Sequence, residues 1–402
     1  MATPLEIGER AAVAAVRPRT RRLRLSIGAM LLAAVASVLA IEVALATMPR
    51  ALVPAPLRTI ETFHTRRAQW EALITGDRYL GFKLRPDLDM RFPFEGGAVP
   101  IRTVSHGLGD VGFRDIGTGA PYGAIVVGDS FAFCDEVVAE ECWVRRLSDA
   151  TGVSMATLGV SGYSTLAEAR MLRRYGPAFG SRLVIVGVFP NDLADNVNFA
   201  NWAREGDDNF RRWLVRKRQP HPGAVWLSQN SSVYRLLATA FEARARAVHR
   251  HREGDLELVL RFDDWWMKAV TAPEQHPGWP LMREALLDMR QAAEGMGARL
   301  AVVIFPTKED AYIDIARRSV AGLDHLDVDR LPRLLGGFLA EHGIAACDVT
   351  GEIREHARRG RQLYYKISGH FNEEGNRVAA AAVQRCLDAG GLLPASAPPR
   401  GR

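Results

Sequence analysis

Four short blocks of this 402-residue chain carry side chains suited to nucleophilic acyl chemistry. Gly128-Asp129-Ser130-Phe131 follows the apolar run Ala124-Ile125-Val126-Val127. Thr157-Leu158-Gly159-Val160-Ser161-Gly162 closes a second run, and Gly187-Val188-Phe189-Pro190-Asn191-Asp192 closes a third. Far downstream, Ser368-Gly369-His370-Phe371-Asn372 precedes a helix-prone stretch. A reactive serine needs an exposed hydroxyl and nearby donors for a developing oxyanion, which strand ends of an open α/β sheet provide. A glycine there exposes a backbone N–H, and an Asn offers a side-chain amide. Gly-Asp-Ser alone is only a turn signal, and it is not the G-x-S-x-G elbow, because Ala132 stands in place of the last Gly. The chemistry rests on the four blocks together.

The elements that position them follow from apolar patterning. Short continuous apolar runs at Ala124–Val127, Val153–Val160, Leu183–Val186, Leu300–Phe305 and Ile344–Val349 read as buried parallel strands. Helical stripes lie between them at Trp143, Val144 and Leu147, at Leu166, Ala169 and Leu172, and over Leu281–Met296, with a last helix over Glu374–Leu387. Strands alternating with helices predict an α/β fold with a central parallel sheet and helices on both faces. After Asn196 the sheet signal stops. Residues 197–279 hold six of the eight tryptophans in a charged, helix-prone sequence, predicting a helical insertion. Ahead of the sheet, residues 49–121 read as a stalk helix (50–75) followed by a Gly/Pro-rich series of hairpins.

At the four blocks the sequence resembles the GDSL or SGNH hydrolase superfamily, named for Ser, Gly, Asn and His in that order. The resemblance covers about residues 122–196 and 298–388, and the domain's two parts are taken as 122–196 and 280–388 with 197–279 inserted between them. It implies a flavodoxin-like three-layer sandwich, a nucleophile at Ser130, a general base at His370, and an oxyanion hole from the Ser130 and Gly162 amides and the Asn191 side chain. The implied reaction is acyl transfer from an ester, with no metal and no cofactor. Two departures stand out. Thr157 occupies a position where the family usually has Asn. More seriously, an Asp normally precedes the His by two or three residues, where this chain has Ser368 and Ile367. Three readings are open: a Ser130–His370 dyad oriented by a backbone carbonyl or Ser368, a carboxylate from elsewhere such as Asp348 or Glu373, or a catalytically impaired carbohydrate-binding or scaffold protein. Ile304-Phe305-Pro306-Thr307-Lys308-Glu309 with Tyr312, and Asn372 and Gly375 after His370, are similar to alginate-type O-acetyltransferases. The expected substrates are acyl esters, acylated polysaccharide among them.

The N-terminus places this chemistry. Leu25–Ile41 carries no charge, and extending it to Met48 gives 24 residues with one acid, Glu42. At 1.5 Å per residue that is enough for a hydrocarbon core of about 30 Å. Arg17, Arg19, Arg21, Arg22 and Arg24 crowd its upstream edge. By the positive-inside rule, residues 1–24 form a cytoplasmic basic tail, 25–48 a single-pass signal anchor in the bacterial inner membrane, and the remainder lies in the periplasm. The alternative is a secreted chain cleaved near Ala44-Leu45-Ala46. Of the formal net charge of +6, residues 1–24 contribute +4, so the body is nearly neutral and nucleic acid is not an expected partner. In an oxidising compartment Cys134 and Cys142 can close a small loop, whereas Cys347 and Cys386 read as buried thiols or a second pair. The other histidines, His106, His249, His251 and His325 among them, lack metal-ligand spacing. Residues 389–402, rich in Pro and Gly, predict a disordered tail. Oligomeric state leaves no mark in the sequence.

Overall fold

The computed structural model describes residues 17–48, 69–218, 221–245 and 248–394. The chain divides into two compact units, residues 1–61 with 221–242, and residues 62–220 with 243–402.

In the larger unit, Ala124–Gly128 (β1), Met155–Thr157 (β2), Leu183–Val188 (β3), Arg299–Ile304 (β4) and Ala345–Asp348 (β5) form one parallel sheet in the order β5-β4-β3-β1-β2. All residues of β1 and β3 are buried. A strand covered on both faces has no solvent side, so its sequence is continuously apolar. The helices are Trp143–Thr151 (α1), Thr165–Tyr175 (α2), Gly278–Gly295 (α3), Arg330–Glu341 (α4), Thr350–Arg358 (α5) and Glu373–Ala389 (α6). Ile125, Val127, Val184, Val186, Val302 and Ile304 share a core with α2, α3 and α4. Their alternates Ala124, Val126, Ile185, Ala301 and Val303 share the opposite core with α1, α5 and α6. Each buried aliphatic side chain contributes about 1.5–3 kcal/mol, which ties the helices to both faces. This is the predicted three-layer α/β sandwich.

Local differences have identifiable causes. The second strand is shorter than its apolar run because the chain turns away after Thr157, although Leu158 and Val160 still donate their amides to the carbonyls of Val126 and Gly128 at 2.7 and 3.0 Å. Residues 197–279 are not wholly helical. Beside helices such as Phe210–Arg218 and Asp264–Thr271 they contain an antiparallel hairpin, Val248–Glu253 with Leu256–Arg261. Leu256, Leu258 and Leu260 are its buried side, a period of two hidden in a charged sequence. Trp202, Trp213 and Trp279 are core residues. Of the proposed stalk, residues 49–68 lie outside the described residues, and 69–73 are helical. Hairpins follow, including Ile74–Asp77 with Gly81–Leu84 and Asp89–Phe94 with Gly97–Val104. Of the proposed disordered tail, residues 389–394 are described and are packed. Helix α6 runs to Ala389, Leu392 and Leu393 pack on the α6-side core, and Arg299 donates to the carbonyls of Gly391 and Leu392, both at 2.6 Å. Residues 395–402, and 1–16 of the basic tail, lie outside the described residues.

Cys134–Cys142 is a disulfide, and Cys347–Cys386, left open between buried thiols and a second pair, is a disulfide joining β5 to α6. At the end of β1 the chain turns through Gly128, whose φ is +156°; a Cβ there would lie 2.7 Å from the Ala132 Cβ and 3.1 Å from the Gly187 carbonyl oxygen. Gly128→Val is therefore expected to destabilise the fold by about 2 kcal/mol or more, lowering Tm by roughly 5 °C. An unchanged melting curve would mean that the turn relaxes freely.

Candidate active site

Ser130 opens a short helix at the end of β1, capped by the Asp129 carboxylate, which accepts the Phe131 amide at 2.9 Å. Its hydroxyl donates to the other Asp129 oxygen at 3.3 Å and is 8% exposed. The residues on either side of Ser130 both meet His370. The Phe131 ring lies 5.7 Å from the imidazole, and Asp129 is close enough to feel its charge. Burial pushes the Asp129 carboxyl up, against the opposing pull of the Phe131 amide, the His370 charge and an Asn191 hydrogen bond. Behind it, Glu168 and Asp192 are fully buried, and burial pushes both carboxyls well above the ordinary range. That favours their neutral forms and keeps charge from accumulating behind the serine.

The loop that follows the nucleophile helix supplies what the histidine block lacks. His370 Nδ1 lies 3.0 Å from Glu136 Oε1 and 3.0 Å from Ser368 Oγ, and the Ser368 hydroxyl donates to the same Glu136 oxygen at 2.6 Å. Ser368 thus bridges the imidazole and a carboxylate. The two acids considered from sequence are elsewhere: Glu373 accepts from the Tyr365 hydroxyl at 3.3 Å, and Asp348 ends β5, where it accepts the Thr350 amide. Glu136 was missed because it belongs to a different block, six residues after Ser130, and only the fold brings that loop to the histidine. The available hint was an acidic pair, Asp135-Glu136, just after the first cysteine of a short disulfide loop. Asp135 approaches the opposite ring nitrogen, with Oδ2 3.9 Å from Nε2, and accepts the Ser161 hydroxyl at 2.9 Å. A carboxylate at each end of the ring stabilises the positive charge that the ring acquires in proton transfer.

The expected oxyanion donors lie after two other strands, β2 and β3. Gly162 has φ +81°, and the Arg211 guanidinium comes within 3.4 Å of where its Cβ would be. Asn191 follows β3 and donates to Asp195 at 3.2 Å. Thr157, standing where Asn was expected, is structural: its hydroxyl donates to the Ala132 carbonyl at 2.8 Å and accepts the Gly159 amide at 3.1 Å, tying the second block to the nucleophile helix. Among the described residues no cluster of His, Cys, Asp or Glu is placed to hold a metal ion.

Residues 259–400 match the family described as SGNH hydrolase-like domain, acetyltransferase AlgX. The matched segment is similar to SGNH hydrolase-like domains. The match includes Lys308, Ser368 and His370 and does not extend to Ser130. No curated protein matches the chain. Similar solved structures include an acetyl xylan esterase, AlAXEase, at 10% identity over 66% of this chain and 99% of that one, with a TM-score of 0.37. TesA gives 14%, 66%, 98% and 0.35. A catalytic mutant of the acetylxylan esterase Axe2 from Geobacillus stearothermophilus gives 12%, 67%, 95% and 0.35.

Two buried cations hold the loops of this candidate site. Arg114, 2% exposed, donates to the carbonyls of Phe133, Cys134 and Val137 and so fixes the turn that carries Glu136. In that turn Cys134 and Glu136 have φ of +59° and +74°, each a conformation that is unfavourable by about 1–3 kcal/mol in a non-glycine residue and persists only when its surroundings enforce it. The Cys134–Cys142 bridge adds to this, a loop closure of this size stabilising by about 2.5 kcal/mol. On the other side, Lys308 Nζ donates to the carbonyls of Tyr365, Lys366, Ile367 and Ser368 at 2.9–3.3 Å. Glu95 accepts the amides of Ile367 and Ser368 from the opposite edge of that loop. The Tyr365 hydroxyl then donates to the Glu136 carbonyl at 2.8 Å, linking one loop to the other.

Two predictions follow from this geometry. Glu136→Gln is expected to lower kcat by about 10²–10⁴ with the fold intact, as when a triad acid is lost. Ser368→Asp, which would restore the family's usual acid, should slow rather than speed the enzyme, because the new carboxylate would face Glu136; a faster variant would remove Glu136 from the role. Burial pushes the Lys308 ammonium down to about 8, so activity should fall as pH rises through that value and the carbonyl cage loses its positive charge. The unfolded lysine holds its proton to higher pH, so between about 8 and its ordinary value this group makes folding more favourable as pH rises. Parallel measurements of kcat/KM and Tm should therefore diverge, and Lys308→Met should lower kcat/KM by roughly 10²-fold at neutral pH, the scale of a 1 Å misplacement. A Tm that falls together with activity would assign the loss to unfolding.

Proposed function

We propose that this protein is a serine esterase or O-acyltransferase of SGNH type. Ser130 is the nucleophile, His370 the general base, and Glu136, bridged by Ser368, the orienting carboxylate. The contact that carries the reading is Glu136 to His370 Nδ1 at 3.0 Å, because it provides the acid whose absence from the histidine block was the reason to consider an impaired chain. With Nδ1–H held by Glu136, Nε2 is the ring nitrogen that takes the Ser130 proton. Ser130 Oγ attacks the ester carbonyl carbon. The oxyanion is met by the amides of Ser130 and Gly162 and by the Asn191 carboxamide. His370 returns the proton to the departing alkoxide, and the acyl group is left on Ser130. Water or an acceptor hydroxyl, deprotonated by the same nitrogen, then attacks the acyl-enzyme and regenerates the serine.

The family description names an acetyltransferase, which supports transfer to a hydroxyl acceptor alongside hydrolysis. Acylated carbohydrate is the substrate class we favour, from the resemblance to alginate-type O-acetyltransferases. The helix Ser26–Leu45 is long and apolar enough to cross a membrane and is unburied, which supports an anchor, and the arginines upstream of it favour the periplasmic side for the residues that follow.

Ser130→Ala is expected to abolish p-nitrophenol release from a short-chain ester and labelling by a fluorophosphonate probe, with circular dichroism unchanged. Polysaccharide binding by a wild-type protein that takes no fluorophosphonate would instead support the non-catalytic scaffold reading.

A further inference from the structure

The smaller unit joins two segments that lie far apart in sequence. Helix Arg17–Thr47 contains the apolar stretch Ser26–Leu45, and residues 221–242 contribute the helix Pro222–Asn230 and most of Ser232–Ala245. Glu42 connects them. Its carboxylate accepts from the Ser231 hydroxyl and from the amides of Ser232 and Val233 at 2.9 and 3.0 Å, the first turn of the second helix. Leu236 of that helix groups with Leu45 and Met48.

We infer that the helical pair 222–245 is a membrane-interfacial element, seated in the headgroup layer of the bilayer that the anchor spans. The inference rests on the anchor reading given above. The first argument is depth. Glu42 stands three residues before the end of the apolar stretch, about 5 Å at 1.5 Å per residue, so whatever its carboxylate holds lies at the same boundary. The second is the acid itself. A carboxylate inside an apolar span is unfavourable unless donors reach it, and three donors from this one helix start do so. The third is the outward surface. Trp226, Leu227 and Leu237 are 62%, 37% and 53% exposed, while the aromatic residues of the larger unit's Trp202, Trp213 and Trp279 are buried. A tryptophan and leucines exposed beside the end of a spanning helix are the composition that favours the water–lipid boundary, where the indole N–H stays wet and its rings reach the acyl chains. The chain would then meet the membrane at two places in its sequence.

The test uses full-length protein in vesicles of phosphatidylethanolamine and phosphatidylglycerol. The four native cysteines are paired, so Trp226→Cys, Leu237→Cys, Leu32→Cys and Arg359→Cys each supply one thiol for a nitroxide label. The readout is collision with oxygen, which concentrates in lipid, relative to a water-soluble nickel chelate. Labels at 226 and 237 are expected to give an oxygen-to-nickel ratio several-fold above the label at 359 and below the one at 32. Adding Glu42→Ala should bring 226 and 237 toward the aqueous ratio and leave 32 unchanged. Aqueous ratios at 226 and 237 with Leu32 in lipid would overturn the inference alone. An aqueous ratio at Leu32 would overturn the anchor reading and this inference with it. Shielding of 226 and 237 from both reagents would indicate a protein partner and also overturn it.

Discussion

The site depends on one half-buried hydrogen-bonded contact, the Glu136 carboxylate against His370 Nδ1 with the Ser368 hydroxyl beside both. An imidazole can act as a base at one nitrogen only when the other carries the proton and the ring cannot rotate. In this chain that constraint is met across two loops separated by more than two hundred residues. The geometry therefore relies on holding both loops still, a harder task than placing an acid two residues before the histidine.

The means are similar on both sides. A loop that turns back under a catalytic residue leaves carbonyl oxygens pointing inward, and buried carbonyls require donors. Arg114 answers three of them and Lys308 four. Each cation is buried, and a buried charge persists only where enough oxygen dipoles replace its water. Removing either would leave the carbonyls unanswered as well as the cation absent, so loop conformation and cation are mutually dependent. Glu95 performs the reverse task with amides, and the Tyr365 hydroxyl crosses from one loop to the other. Supports for the site thus come from the N-terminal hairpins, the first βα turn and the stretch after β4, which gives the residues outside the sheet a part in the chemistry.

Buried acids on the far side of Ser130 serve a different end. Asp129 is tied to the Phe131 amide, and Glu168 and Asp192 lie near it with their carboxyls pushed upward by burial. Three full negative charges in that volume would repel one another strongly at low effective dielectric. Burial favours their neutral forms, which lets polar groups fill the sheet edge beside Ser130 without that repulsion.

Much of this was legible from residue order. Continuous apolar runs ending in Gly128 and Gly187 specify buried parallel strands, because both faces of such strands are covered, and the reactive residues fall at their ends. The apolar stretch with arginines upstream marks a helix long enough for a bilayer, since length and charge asymmetry are properties of the chain itself. Sequence also put forward Ser130, Gly162, Asn191 and His370, since each follows its own strand or precedes its own helix. Only the tertiary structure shows which carboxylate meets His370 Nδ1, because Glu136, Asp348 and Glu373 are chemically equivalent until packing selects one. The same holds for Lys308 and for the hairpin within residues 248–261, whose period of two is obscured by neighbouring charges. Local pattern sets which element a residue joins, whereas the partner of a buried charge depends on where distant loops meet, and no spacing along the chain encodes that distance.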